Sequence, residues 1–124
     1  MEFKIDTKTS YTIVKPLTDR INAALTEAIR QKQAELGQSV SQNLIVDLSG
    51  CSIYDDTTLP ALMVLHEDFY SNNHSLVFTG MAEDIAQQLQ TDKEEQSINI
   101  APTMAEAIDI ISMDILERDL FNEE

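Results

Sequence analysis

The sequence has one cysteine, three glycines, three prolines and no tryptophan among its 124 residues. A single cysteine, Cys51, excludes an internal disulfide and any cysteine-based zinc site. So few glycines and prolines exclude a low-complexity or collagen-like polymer, and with 43% apolar residues the chain can bury a core. Long apolar runs are missing too. No stretch approaches the roughly 18 residues that cross a bilayer, and the start MEFKIDTKTS has no signal-peptide core, so a cytoplasmic protein is expected. Basic side chains are the scarcest charged type, 8 Lys and Arg against 22 Asp and Glu, for a net charge of −14. Residues 1–50 hold six of each sign and are neutral, so the excess falls on residues 51–124, where sixteen acids face only Lys93 and Arg118. Nucleic acid and anionic membranes, which need clustered Lys and Arg, are disfavoured as direct partners. An acidic face meeting a basic protein partner is the natural expectation.

What is present alternates in type. Phe3 and Ile5 recur with period two, and Tyr11, Ile13 and Val14 follow the polar stretch Thr7 to Ser10, which reads as a hairpin ended by Pro16. Thr18 is a good N-cap, and Leu17, Ile21, Ala24, Leu25, Ala28 and Ile29 predict a helix running to about Leu36, stopped by Gly37. Leu44 to Leu48 is a nearly all-apolar run expected of a central parallel strand. A second helix carries Leu59, Leu62, Met63, His66, Phe69 and Tyr70 on one stripe. Ser75 to Thr79 reads as a strand, Ala82 to Gln90 as a short helix, Ile98 to Ile100 as an edge strand, and Thr103 to about Phe121 as a long last helix. Strands alternating with helices imply crossover units. The expectation is a single α/β domain over residues 1–121, a mixed, mostly parallel sheet of about five strands with about four helices, followed by an acidic tail at 122–124 that frays.

In such a sheet function gathers where loops leave the carboxyl ends of the strands. The loop after the third predicted strand reads Asp47-Leu48-Ser49-Gly50-Cys51-Ser52-Ile53-Tyr54-Asp55-Asp56-Thr57-Thr58-Leu59-Pro60. Proline is tolerated only in a helix's first turn, so Pro60 places the helix start near Asp56 or Thr57, with Asp55 and Asp56 at the positive end of its dipole. This segment resembles the STAS domain of bacterial anti-sigma factor antagonists. Their pattern is a hydrophobic strand, Asp-Leu-Ser, a short loop, then Asp-Ser-Ser/Thr-Gly-Leu opening a helix. The resemblance extends to the order of elements and to the Thr-x-x-Glu-Ala start at Thr103 to Ala107. It implies a STAS-like fold and a regulatory module that docks on an anti-sigma factor, itself a serine kinase that phosphorylates the hydroxyl at the helix start.

Carried over residue by residue, Asp55 matches the family aspartate, Asp56 the phosphorylated serine, Thr57 the next hydroxyl residue, Thr58 the glycine and Leu59 the core leucine. These five residues are the expected docking and switch site. Asp56 cannot accept phosphate from a serine kinase and holds one negative charge where phosphoserine holds about −1.5 to −2, so the switch is lost or fixed. Asp56 reads as a helix cap, as a fixed mimic of the phosphorylated state, or as a contact for an adapted partner. Thr57 is a substitute phosphoacceptor candidate. Thr58 is expected to add bulk to the docking surface where the family has glycine. The loop after the second strand has Lys15-Pro16-Leu17-Thr18-Asp19 in place of the family's frequent Gly-Arg-Leu-Asp.

Other chemistry is weaker. Asp47, Asp55 and Asp56 together suggest a Mg²⁺-dependent phosphoacceptor site, but Asn99, Ile100, Ala101 and Pro102 supply no lysine after the last strand. His66 reads as a hydrogen-bonded core or rim residue, His74 as a turn residue, and Cys51 as a buried, inert thiol. No catalytic residue, metal site or cofactor is assigned. A STAS-like accessory subunit of a transport ATPase, with no phosphoswitch, is the alternative function. On the last helix Met104, Ala107, Ile108, Ile111 and Ile115 form one stripe, while Ile110, Met113, Leu116, Leu120 and Phe121 lie largely off it. Either the helix tail folds back over its own domain, or the extra stripe is a homodimer or partner surface rimmed by Glu106, Asp109, Asp114, Glu117 and Asp119.

Overall fold

The structure, a computed structural model, describes residues 2–91 and 98–121. The strands are β1 (Phe3–Thr7), β2 (Thr12–Pro16), β3 (Arg20–Ile21), β4 (Leu44–Asp47), β5 (Ile53–Tyr54), β6 (Leu76–Thr79) and β7 (Ile100–Ala101). The helices are α1 (Ala23–Leu36), α2 (Thr58–Ser71), α3 (Glu83–Thr91) and α4 (Met104–Phe121). The main sheet has five strands in the order β1-β2-β4-β6-β7. Only the β1–β2 hairpin is antiparallel; β2–β4, β4–β6 and β6–β7 pair in parallel. This is the expected mixed, mostly parallel α/β architecture. The tail at 122–124 and the side chain of Phe121 lie outside the described residues.

Burial on alternating faces explains the apolar runs Leu44–Val46 and Leu76–Phe78 of the central strands. Leu44, Val46, Leu76 and Phe78 point to one face of the sheet, where Leu25 and Ile29 of α1, Leu62, Leu65 and Phe69 of α2 and Ile85 of α3 cover them. Ile45 and Val77 point to the other face, where they meet Ala107 and Ile111 of α4. A strand buried on both faces favours apolar residues at successive positions. Helix α4 starts at a reciprocal cap, with the Glu106 N–H donating to Thr103 Oγ1 at 3.2 Å and the Thr103 hydroxyl donating to Glu106 Oε1. Its inner side is tied to the lower end of the sheet: Arg118 Nη2 donates to Ser75 Oγ at 3.0 Å and Asn43 Oδ1 at 3.3 Å. The Tyr70 hydroxyl of α2 donates to Asp114 of α4 and accepts from Asn99 Nδ2 at 2.8 Å.

Three expectations need correction. The first helix does not start after Thr18. Residues 20–21 form β3, which pairs in parallel with β5, and the Ser52 and Ile53 N–H groups both donate to the Asp19 carbonyl at 2.9 Å. Asn22 is extended and caps α1 instead, its Oδ1 accepting from the Leu25 N–H at 3.0 Å. Ile21 is buried from the strand, and Leu17, placed on the helix stripe by periodicity, is 47% exposed. The last strand is Ile100–Ala101, beginning where Ile98–Ile100 was expected to end. The tail of α4 does not fold back: it runs as one helix to Phe121, with Met113, Leu116 and Leu120 each about 60% exposed (62%, 59% and 61%).

Candidate functional site

The loop that leaves β4 is held from below. Asp47 Oδ1 accepts from the Ser49 N–H at 3.0 Å, and the Leu48 N–H donates to the Thr79 carbonyl at 2.7 Å. Cys51 is buried and its thiol donates to the Thr18 carbonyl at 3.3 Å. Burial pushes that thiol up, and the charges of Asp19 and Asp47 push it further, so thiolate chemistry is suppressed. The β3–β5 pairing then delivers the chain to the start of α2.

At that start two neighbouring aspartates do different things. Asp55 Oδ1 accepts from the Thr57 hydroxyl at 2.6 Å and from the Thr57 N–H at 2.8 Å. These two bonds, the hydroxyl first, hold the Asp55 carboxyl below the usual carboxylate range. Thr57 occupies the cap position of α2 and accepts from the Ala61 N–H at 3.0 Å through its carbonyl. Asp56 takes no part in this. It is exposed, and among the described residues it has no hydrogen-bond or ionic partner. The carboxylate that holds the helix start is thus Asp55, through its bonds to the cap residue Thr57, and not Asp56.

Thr58 corrects a further expectation. Its side chain is fully buried, so it adds nothing to the outer surface. Its hydroxyl donates to the Ile21 carbonyl at 2.6 Å and accepts from the Asp55 N–H at 2.9 Å, bolting the helix start to β3. Leu59 is likewise turned inward at 9% exposure. Of the five expected site residues, Asp55, Asp56 and Thr57 form the surface, and Thr58 and Leu59 support it from beneath. The Thr57 hydroxyl is exposed but engaged with Asp55.

Asp47, Asp55 and Asp56 do not converge. Among the described residues no group of three His, Cys, Asp or Glu side chains stands close enough to hold a metal ion. His66 is not hydrogen-bonded as expected: its Nε2 is buried without a partner, and its ring stacks on Tyr70 with centroids 4.5 Å apart. Burial lowers its pKa, against a smaller opposing pull from Asp114, which leaves the imidazole neutral.

The exposed surface beside the helix start was not legible from the motif. A groove of about 770 Å³ runs along α2 from Leu59 and Pro60 past Met63 and His66 to Tyr70. A smaller one of about 330 Å³ lies between α1 and α2, bordered by Thr26, Arg30, Thr57 and Ala61. Pro60 and Val64 form the ridge shared by both, and Val64 is 59% exposed. An apolar valine so far off the buried stripe was the available signal. Among the described residues no helix is long and apolar enough to cross a membrane.

A family model of the STAS domain matches residues 4–107. Among solved structures, a candidate anti-sigma factor antagonist from Thermotoga maritima is 18% identical with a TM-score of 0.70, over 89% of this chain and 94% of that one. A serine-to-glutamate variant of RsbS from Moorella thermoacetica is 18% identical with a TM-score of 0.64, over 95% and 99%. The murine anion transporter Slc26a9 is 21% identical with a TM-score of 0.64, over 86% of this chain but 18% of the transporter. No curated protein matches the chain.

Proposed function

Because the chain belongs to the STAS domain family, we propose that it is a non-catalytic regulatory module of the anti-sigma factor antagonist type. It docks on a basic-faced anti-sigma factor kinase through the start of α2 and the groove beside it, with Asp56 as a fixed charge where relatives carry a phosphorylated serine. The observation that carries this reading is the Asp56 carboxylate. It stands exposed and unpartnered beside Asp55, whose carboxylate is the one engaged with Thr57 at the helix start, so its charge is left for a partner.

Two electrostatic effects act at different ranges. The acids of residues 51–124 steer a basic protein toward this half of the molecule. At contact, a kinase active site brings nucleotide phosphates to the position of the serine hydroxyl, and a carboxylate there meets like charge. Such a juxtaposition costs several kcal/mol, on the order of 4 kcal/mol for unit charges about 4 Å apart at an effective dielectric of about 20. Asp56 therefore holds the complex in its weakened, phosphorylated-like state.

Calorimetric titration against ATP-binding anti-sigma factors tests this directly. Asp56→Ser is expected to bind at least about tenfold more tightly and to take up phosphate from the kinase at the new serine, whereas the native chain takes up none there. No binding by either form overturns the docking assignment. Equal affinity of the two forms removes the fixed-charge role. Binding of both forms only to the nucleotide-binding subunit of a transport ATPase moves the chain to the accessory-subunit class.

A further inference from the structure

The outer side of α4 lies on the sheet face opposite α1, α2 and α3. Met113, Leu116 and Leu120 project from it at spacings of three and four, directly away from the seam made by Ala107 and Ile111. Three large apolar side chains exposed in line over two turns exceed what scattered surface residues explain. We propose that this stripe is a second docking surface, and that its occupant is a basic amphipathic helix of a protein partner.

Charge selects the occupant. The exposed charged residues flanking the stripe are all acidic: Glu106, Asp109, Glu117 and Asp119. Arg118, the cation of this helix, is turned inward onto Ser75 and Asn43 and neutralises none of them. A second copy of the same face would set carboxylates against carboxylates, and an anionic lipid surface would do the same. A helix carrying Lys or Arg beside its own apolar stripe satisfies both parts: apolar side chains pack on Met113, Leu116 and Leu120 while the cations pair with the flanking acids. The two docking surfaces lie on opposite layers of the domain, so one partner on α2 leaves α4 free for another. The protein then acts as a bridge between two partners.

A synthetic Leu/Lys amphipathic peptide of about three turns is the probe, with a scrambled peptide of the same charge as control. The intact protein is expected to bind one amphipathic peptide, with affinity that falls as salt rises. The doubly substituted Leu116→Gln, Leu120→Gln protein is expected to lose about tenfold or more, because two apolar anchors are removed. Its circular dichroism should be unchanged, both positions being exposed. Asp56→Ser should bind the peptide as the native chain does, so failure here and failure of the α2 assignment are separable. Equal binding of the scrambled peptide, or full affinity in the doubly substituted protein, overturns the proposal. So does a native dimer in sedimentation equilibrium that the double substitution converts to monomer, which would make a second copy the occupant.

Discussion

Replacing Thr58 by valine keeps the shape of the side chain and removes one oxygen. That oxygen serves two backbone groups: it donates to the Ile21 carbonyl at 2.6 Å and accepts from the Asp55 N–H at 2.9 Å. Ile21 and Thr58 are both fully buried, so no water replaces the lost donor at the carbonyl. A buried polar group left without a partner costs about 1–3 kcal/mol. The Asp55 N–H lies nearer solvent and belongs at the low end of that range. Together they place the loss for Thr58→Val at about 2–4 kcal/mol. For a chain of this length 1 kcal/mol moves the midpoint by about 4 °C, so thermal unfolding should shift down by about 8–16 °C. Thr58→Ser keeps the hydroxyl and loses only a methyl, for about 1 kcal/mol. The expected order in urea or thermal denaturation is therefore native, then serine, then valine. A valine variant as stable as the native chain, or a serine variant less stable than valine, refutes the bolt and leaves methyl packing as what Thr58 chiefly provides.

Gly80, at φ +76° after β6, is the position where a side chain has no room: an added Cβ runs into Asp47 Oδ1 and stands 3.0 Å from the Ser49 nitrogen. Gly80→Ala should destabilise by about 1–3 kcal/mol through backbone strain alone, read as a lower urea midpoint; an unchanged midpoint contradicts the strain. Tyr70 is pushed up to about 12, by burial first and then by its bond to Asp114. The folded state keeps this proton while an unfolded tyrosine releases it near about 10. The resulting stability is complete below about pH 10 and is lost as pH rises toward about 12. An ultraviolet difference titration should show a late ionisation that Tyr70→Phe removes, and a titration unaltered by that substitution would count against the Tyr70–Asp114 bond.

Much of the frame is readable from residues alone because it rests on periodicity. The short, largely apolar runs at Leu44–Leu48 and Ser75–Thr79 read as strands covered by the core, and Pro60 marks a helix's first turn. The β3–β5 pairing was invisible for the opposite reason: two-residue strands have no period, and they exist because the Asp19 carbonyl finds Ser52 and Ile53 in space. That pairing also takes residues 20–21 out of the helix expected to start after Thr18 and leaves Asn22 as the cap of α1. At the site itself, the motif located Asp55 to Leu59 but not their division of labour. Adjacent aspartates look alike in a sequence, and only the turn geometry ties Asp55 to Thr57 and leaves Asp56 free. Thr58 was misplaced because a glycine position suggests open surface, whereas the first residue of α2 points at β3.

The two borders of the main sheet decide how this protein can assemble. β1, with an open backbone edge, carries exposed Lys4 and Asp6, and Asp6 pairs with Lys8 at 3.4 Å just beyond the strand. β7 is two residues long and is followed at once by Pro102. Charged side chains on one border and brevity on the other make both poor templates for a foreign strand, which is how folded sheets avoid fibrillar growth. Growth by main-chain addition is disfavoured at both ends. Association then falls to side chains on the exposed helices, whose composition can be tuned one residue at a time without reopening the sheet.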